Sequence, residues 1–147
     1  MKIVASLTIA ILILLSLVSI VPTFAVPSGS ASQVKRGKYL VEEVGKCEDC
    51  HTEHNEKGEP IPGKKLQGAI LPFKMINPIP VWADRSANIA GLPGWKKKDA
   101  VKFLMTGLAY NNLPARPPMP LYRMNKEDAE AIVAYLKSLS PTDKGKN

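Results

Sequence analysis

Cys47-Glu48-Asp49-Cys50-His51 is the stretch on which the reading of this chain turns. Two cysteines separated by two residues and followed at once by a histidine form the C-x-x-C-H pattern by which a haem is attached covalently and its iron given a first axial ligand. The spacing has a mechanical reason. Two intervening residues let the thiols of Cys47 and Cys50 bond the two vinyl-derived carbons of one porphyrin, and His51 then lies beneath the iron. The chain holds only these two cysteines, so the expectation is one covalent haem c.

Three other chemistries compete for the same thiols. A thioredoxin-like redox pair normally opens a helix after a strand, and no β-rich αβ pattern surrounds this motif. A zinc site drawing on Cys47, Cys50 and His54 lacks a fourth ligand, and adjacent Cys50 and His51 are poorly placed to share a tetrahedron. A structural disulfide is open to an exported protein, but it leaves His51 unexplained.

The N-terminus bears on the compartment. Residues 3–21 are almost wholly apolar, Lys2 precedes them, and Thr23 and Ala25 are small residues of the kind a signal peptidase cleaves behind. The expected signal peptide is 1–25. The apolar run is also long enough to span a bilayer, which makes an uncleaved membrane anchor the alternative. In both cases the remainder lies outside the cytoplasm, in the periplasm or an equivalent extracytoplasmic space where c-type haem is assembled. Residues 26–32 have the composition of a flexible linker. Residues 33–140 suffice for one domain, and 141–147 read as a disordered tail.

Three helices are expected within that domain. The first runs from about Gln33 to Val44 and stops at Gly45; Gly37 inside it suggests the close approach of another helix. A second covers Lys97 to Thr106 and ends at Gly107. The last starts at Asn125, a good N-cap with Glu127, Asp128 and Glu130 behind it, carries the stripe Ala129, Ile132, Val133, Leu136 and Leu139, and stops at Ser140-Pro141. Residues 59–95 and 107–124 are rich in Pro and Gly and would be unusually long bare loops. A large flat cofactor to wrap accounts for them.

A six-coordinate iron needs a second donor. His54 is too close to His51 to reach the opposite face. Met119 stands in Arg116-Pro117-Pro118-Met119-Pro120-Leu121-Tyr122, where prolines on both sides stiffen the loop that presents the thioether. Met124 and Met75 are the next candidates, and Met105 reads as core filler. With His51 and a Met as ligands no position is left for substrate or oxygen, and the iron is suited to gaining and losing one electron.

On these residues the chain resembles class I c-type cytochromes over about residues 33–140, and within that class it is most similar to the haem domains of cytochrome subunits of periplasmic dehydrogenases. Asn88-Ile89 with Gly94-Trp95, Met105-Thr106-Gly107, Pro118-Met119-Pro120 with Tyr122, and Asp128 with Ala134-Tyr135-Leu136 match that family's elements. Those subunits usually carry several haem motifs where this chain has one, and Ala87 stands where a proline commonly precedes the Asn-Ile pair. The resemblance implies a mostly α fold with crossed N- and C-terminal helices and long loops wrapping one covalent haem. It also implies that Tyr39 and Tyr135 belong to the terminal-helix contact.

Arg85 and Trp95, with Trp82 and Arg123, are candidate donors to the haem propionates, because guanidinium and indole N–H pair well with carboxylate. Nδ1 of His51 should donate to a backbone carbonyl, with Pro60 or Pro62 as the expected acceptor. The chain carries a formal net charge of +7, unevenly spread. Residues 41–59 hold seven acids (Glu42, Glu43, Glu48, Asp49, Glu53, Glu56, Glu59) against Lys46 and Lys57, whereas residues 60–125 hold ten bases against Asp84 and Asp99. A solvated face is the plain account of such a run; steering onto a redox partner with an acidic docking surface is the functional one. No aromatic-basic motif points to nucleic acid.

The function expected is therefore one-electron transfer outside the cytoplasm, by a free carrier or an electron-accepting subunit, and not an enzyme activity. A haem enzyme or gas-binding sensor with an open distal position is the rival.

Overall fold

The computed structural model describes residues 30–139. The expected signal peptide or anchor, residues 26–29 of the expected linker, the Ser140-Pro141 stop and the tail lie outside them. Among the described residues no helix is long and apolar enough to cross a membrane. The structure there is helical with isolated antiparallel bridges (His54 with Pro60, Ile70 with Arg85, Leu108 with Pro114) and no strands.

Helix α1, Ala31–Tyr39, begins two residues before the expected Gln33, because the Ser30 hydroxyl accepts from the Gln33 N–H at 3.2 Å and caps it. It takes up Ala31 and Ser32, the last two residues of the expected linker. The chain continues as a π-helical turn, Leu40–Val44, closed by a 2.7 Å hydrogen bond from Gly45 N–H to the Leu40 carbonyl. That wider turn presents Leu40 and Val41 to the core. Lys46, at φ 47°, then redirects the chain into α2, Cys47–His51. Helix α3 is Lys97–Thr106, with the bounds expected, and Gly107 at φ 72° terminates it in the left-handed conformation that glycine adopts freely. Helix α4, Lys126–Ser138, is capped by Asn125, whose side chain accepts from Asp128 N–H at 2.8 Å.

The terminal helices α1 and α4 make the most extensive contact between any two described elements. Gly37 permits it. A Cβ there would collide with the carbonyl oxygen of Ala131 and stand 2.8 Å from Cβ of Tyr135. Beside this contact Val41, Leu66, Ile132, Val133 and Leu136 belong to the buried core, each contributing about 1.5–3 kcal/mol by burial. Arg36 and Asp128 tie the two helices at the surface at 3.0 Å. Tyr135 is buried at this contact, as the resemblance implied. Tyr39 differs: it is more than half exposed, with the Arg36 guanidinium 5.7 Å from its ring centroid.

The chain between α2 and α3 is held by specific hydrogen bonds rather than by a sheet. Buried Thr52 accepts from Leu66 N–H at 2.9 Å, Gly68 N–H donates to the His51 carbonyl at 2.7 Å, and Ile89 and Ala90 both donate to the Leu66 carbonyl. These bonds bring residues 66–69 and 86–90 against α2.

Candidate haem site

Positions i, i+3 and i+4 of a helix share a face, so the single turn of α2 presents Cys47, Cys50 and His51 together. All three line a cavity of about 530 Å³, within the roughly 300–1,000 Å³ of cofactor sites. Its walls are mostly apolar: Leu71, Ile89, Leu92, Phe103, Leu104, Ile132, Val133 and Leu136 come from the loops, α3 and α4. Met119 lines the same cavity, and so do Arg85 and Trp95.

The donor set suits a haem. Cys47 and Cys50 are both free thiols, and burial pushes the Cys47 thiol up to about 11 and the Cys50 thiol in the same direction. Nδ1 of His51 lies 2.7 Å from the Ala87 carbonyl oxygen, which can only accept, so Nδ1 carries the proton and Nε2 keeps its lone pair for a metal. Burial lowers the imidazole's pKa, the bond to Ala87 opposing it, and so favours the neutral ring that ligation requires. The acceptor is Ala87 rather than Pro60 or Pro62. Residues 59–62 are occupied by a turn in which Asn55 and His54 pair with Glu59 and Pro60, whereas the Gly68–His51 bond and the chain running from Ser86 to Asn88 bring Ala87 under the ring. Among the described residues no group of three His, Cys, Asp or Glu side chains is arranged to hold a free metal ion.

The Met119 loop is fixed by more than its prolines. Met119 N–H donates to the Arg116 carbonyl at 3.1 Å, and the Arg116 guanidinium reaches across to the carbonyls of Val81 (3.0 Å) and Trp82 (2.6 Å). Ala83 N–H donates back to the Pro117 carbonyl at 2.7 Å. Met124 also faces the cavity, from the foot of α4, while Met75 and Met105 do not line it.

Of the four candidate propionate donors, Arg85 and Trp95 line the cavity and Trp82 and Arg123 do not. Arg123 is engaged by the Tyr122 carbonyl at 2.9 Å. The Trp82 indole N–H is buried and has no hydrogen-bond partner, although its neighbour Ala83 is a wall residue. Trp95 packs against Phe103 and Tyr110 at ring centroid distances of 5.4 and 5.8 Å.

The charge pattern folds differently from its linear order. Lys65 belongs to the basic stretch, yet its Nζ stands 2.6 Å from Glu42 and 2.7 Å from Glu48, and Lys64 lies 4.0 Å from Glu53. The acidic attachment segment is thereby partly neutralised by the first two bases that follow it.

A mostly helical domain with a C-x-x-C-H turn on an apolar cavity that a methionine thioether also lines defines a haem-binding class of protein. Residues 34–140 match the cytochrome c family, and the chain belongs to it. Among curated relatives it is similar to the cytochrome subunit of fructose dehydrogenase from Gluconobacter japonicus, 32% identical over 71% of this chain and 21% of that one. It is similar also to the cytochrome c subunit of gluconate 2-dehydrogenase from Pantoea cypripedii, 32% identical over 74% of this chain and 26% of that one. A diheme cytochrome c-type protein of Cereibacter sphaeroides is 30% identical over 79% of this chain and 38% of its own length. The chain thus spans between about a fifth and two fifths of these relatives.

Proposed function

We propose that this protein is a one-electron carrier or electron-accepting subunit for a redox enzyme outside the cytoplasm, with one haem c held by Cys47 and Cys50 and ligated by His51 and Met119. The observation that carries the reading is that these four residues line a single apolar cavity of cofactor size. A haem there supplies a metal centre that takes up and releases one electron.

The chain's own residues define the rest. The Ala87 carbonyl holds the His51 ring in the ligating tautomer. The Arg116 and Pro117 bonds hold the Met119 loop against residues 81–83, which keeps a weak thioether donor from straying. The apolar wall excludes water. Arg85 and Trp95, which line the cavity, are the proposed propionate donors. In this reading the terminal helices α1 and α4 would cross as in class I cytochromes, and residues 59–95 and 107–124 would wrap the cofactor. Relatives named as cytochrome subunits of dehydrogenases favour a partner enzyme that delivers electrons, and the bases outside the attachment segment favour an acidic docking surface on it.

The test is a pyridine haemochrome spectrum before and after acid-acetone extraction. Wild type should retain one haem per chain, and Cys47→Ala/Cys50→Ala should release it. Rapid stoichiometric carbon monoxide binding by the reduced wild type would overturn the closed-site reading and favour an enzyme or gas sensor.

A further inference from the structure

Between Leu71 and Asp84 the chain leaves the cavity and returns to it. Ile70-Leu71-Pro72-Phe73-Lys74-Met75-Ile76-Asn77-Pro78-Ile79-Pro80-Val81-Trp82 contains one charge, Lys74, and no acid. So apolar a stretch would ordinarily be buried. Here Ile76 is 97% exposed, Ile70 67%, Val81 55%, Phe73 43% and Ile79 39%. Single exposed apolar residues need no explanation, but a run of them marks an interaction surface.

The projection is ordered. Its base is closed by the Ile70–Arg85 bridge and by the 2.9 Å bond from Leu71 N–H to the Asp84 carbonyl. Phe73 and Trp82 meet edge to face at 6.4 Å, and Trp82 N–H donates to the Ile79 carbonyl at 3.1 Å. The base belongs to the haem cavity, since Leu71, Ala83 and Arg85 are wall residues. Through Arg116 the far limb is bonded to the loop that carries Met119.

We propose that this apolar projection is the docking surface for a redox partner protein whose facing patch is apolar with an acidic rim. The inference rests on the electron-transfer reading above and says where the electron enters or leaves. Tunnelling falls steeply with distance, and a partner seated on 70–82 is brought beside the cavity wall. The charges are complementary to such a rim: Lys74 is the one charge within the projection, and at its base Arg85 and Arg116 outnumber the single acid there, Asp84. An apolar centre with a polar, oppositely charged rim is the ordinary anatomy of a specific interface. A lipid surface would use the same side chains but gains nothing from their connection to the Met119 loop, and a second copy of this chain would set like charges against one another.

The experiment uses the holoprotein at a gold electrode coated with a mixed monolayer of methyl- and carboxylate-terminated alkanethiols, a chemical stand-in for the partner patch. Wild type should give a direct one-electron wave. Phe73→Ser/Ile76→Ser should lower the interfacial electron-transfer rate about tenfold, the single variant Ile76→Ser should move it in the same direction, and Tyr39→Ser, an exposed apolar change on α1, should not. An unchanged rate in both patch variants overturns the proposal. So does binding of wild type to phosphatidylcholine–phosphatidylglycerol vesicles, or concentration-dependent dimerisation, that the patch variants abolish. Mediated redox titration in solution separates the two readings. No reversible one-electron couple there refutes the electron-transfer reading, whereas an intact couple with unaltered electrode rates refutes the docking surface alone.

Discussion

The hydroxyl of Tyr135 on the C-terminal helix donates to Oε1 of Glu42, 2.6 Å away and 93 residues earlier in the chain. The same carboxylate oxygen receives Lys65 Nζ, which also reaches Glu48 inside the attachment motif. One carboxylate therefore joins α4, the turn after α1 and the turn that carries the two cysteines. Burial pushes the Glu42 carboxyl up, but the bonds from Lys65 and Tyr135 outweigh it, and its pKa lies below the ordinary 4.5. A depressed carboxyl contributes stability that is complete above about pH 4.5 and is lost as pH falls through the lower folded value. Glu42→Gln should cost about 1–2 kcal/mol at pH 7 and make the acid limb of stability shallower. Tyr135→Phe should cost about 1 kcal/mol, and the double variant less than the sum. Urea unfolding from pH 3 to 7 measures all three; a fully additive double variant would refute the coupling.

Gly37→Ala pits two effects against each other. Alanine improves helix propensity by about 1 kcal/mol, but its Cβ would meet the Ala131 carbonyl, a backbone atom that cannot move without shifting α4. Overpacking of about 1–3 kcal/mol against rigid backbone should win, so the variant should unfold at lower urea than wild type. Gly58→Ala, where no atom lies within 4 Å, is a control for loss of glycine at a site strained only by its positive φ.

What sequence alone could show of this depends on the range of the interaction. Helix α3, the Asn125 cap and the Gly37 contact were legible because each follows from a local pattern of apolar spacing, capping residue or missing side chain. The acceptor for His51 was not. Any backbone carbonyl can fill that role, and which one does so depends on the Gly68–His51 bond that lays residues 86–88 beneath the ring. The one sequence signal was Ala87 itself, at a position where the family commonly has proline: both residues offer the same carbonyl. The seven acids of residues 41–59 suggested a charged face by composition, but Lys64 and Lys65 fold back onto them, and composition contains no such pairing. The fastening roles of Thr52 and Arg116 are not legible in sequence, because their partners are backbone groups distant in the chain.

Thr52 is 1% exposed, and its hydroxyl oxygen is the acceptor for the N–H of Leu66, itself fully buried. Valine has nearly the same shape and no acceptor. Thr52→Val should leave that N–H unsatisfied and cost about 1–3 kcal/mol, while Thr52→Ser, which keeps the oxygen, should lose only the burial of one methyl, about 1 kcal/mol. Equal losses in the two variants would show that packing rather than the hydrogen bond fixes residues 66–69 on α2.

Met119 and Met124 both line the cavity, so proximity alone does not choose between them as the second axial ligand. Their surroundings favour Met119 in the proposed ligation. Met124 packs against the core cluster and its N–H is bonded to the Leu104 carbonyl at 3.1 Å, the setting of a wall residue. Met119 lies at the tip of a proline-rich turn that Arg116 and Pro117 fasten to residues 81–83, the setting of a presented donor. Ferric haem with a methionine ligand shows a weak near-infrared charge-transfer band. Met119→Ala should abolish that band and open the iron to carbon monoxide in the reduced state, Met124→Ala should keep it, and Arg116→Ala should keep it while lowering the temperature at which it disappears, because the loop is then held by one fewer pair of bonds. A band that survives in Met119→Ala and vanishes in Met124→Ala would reverse the assignment.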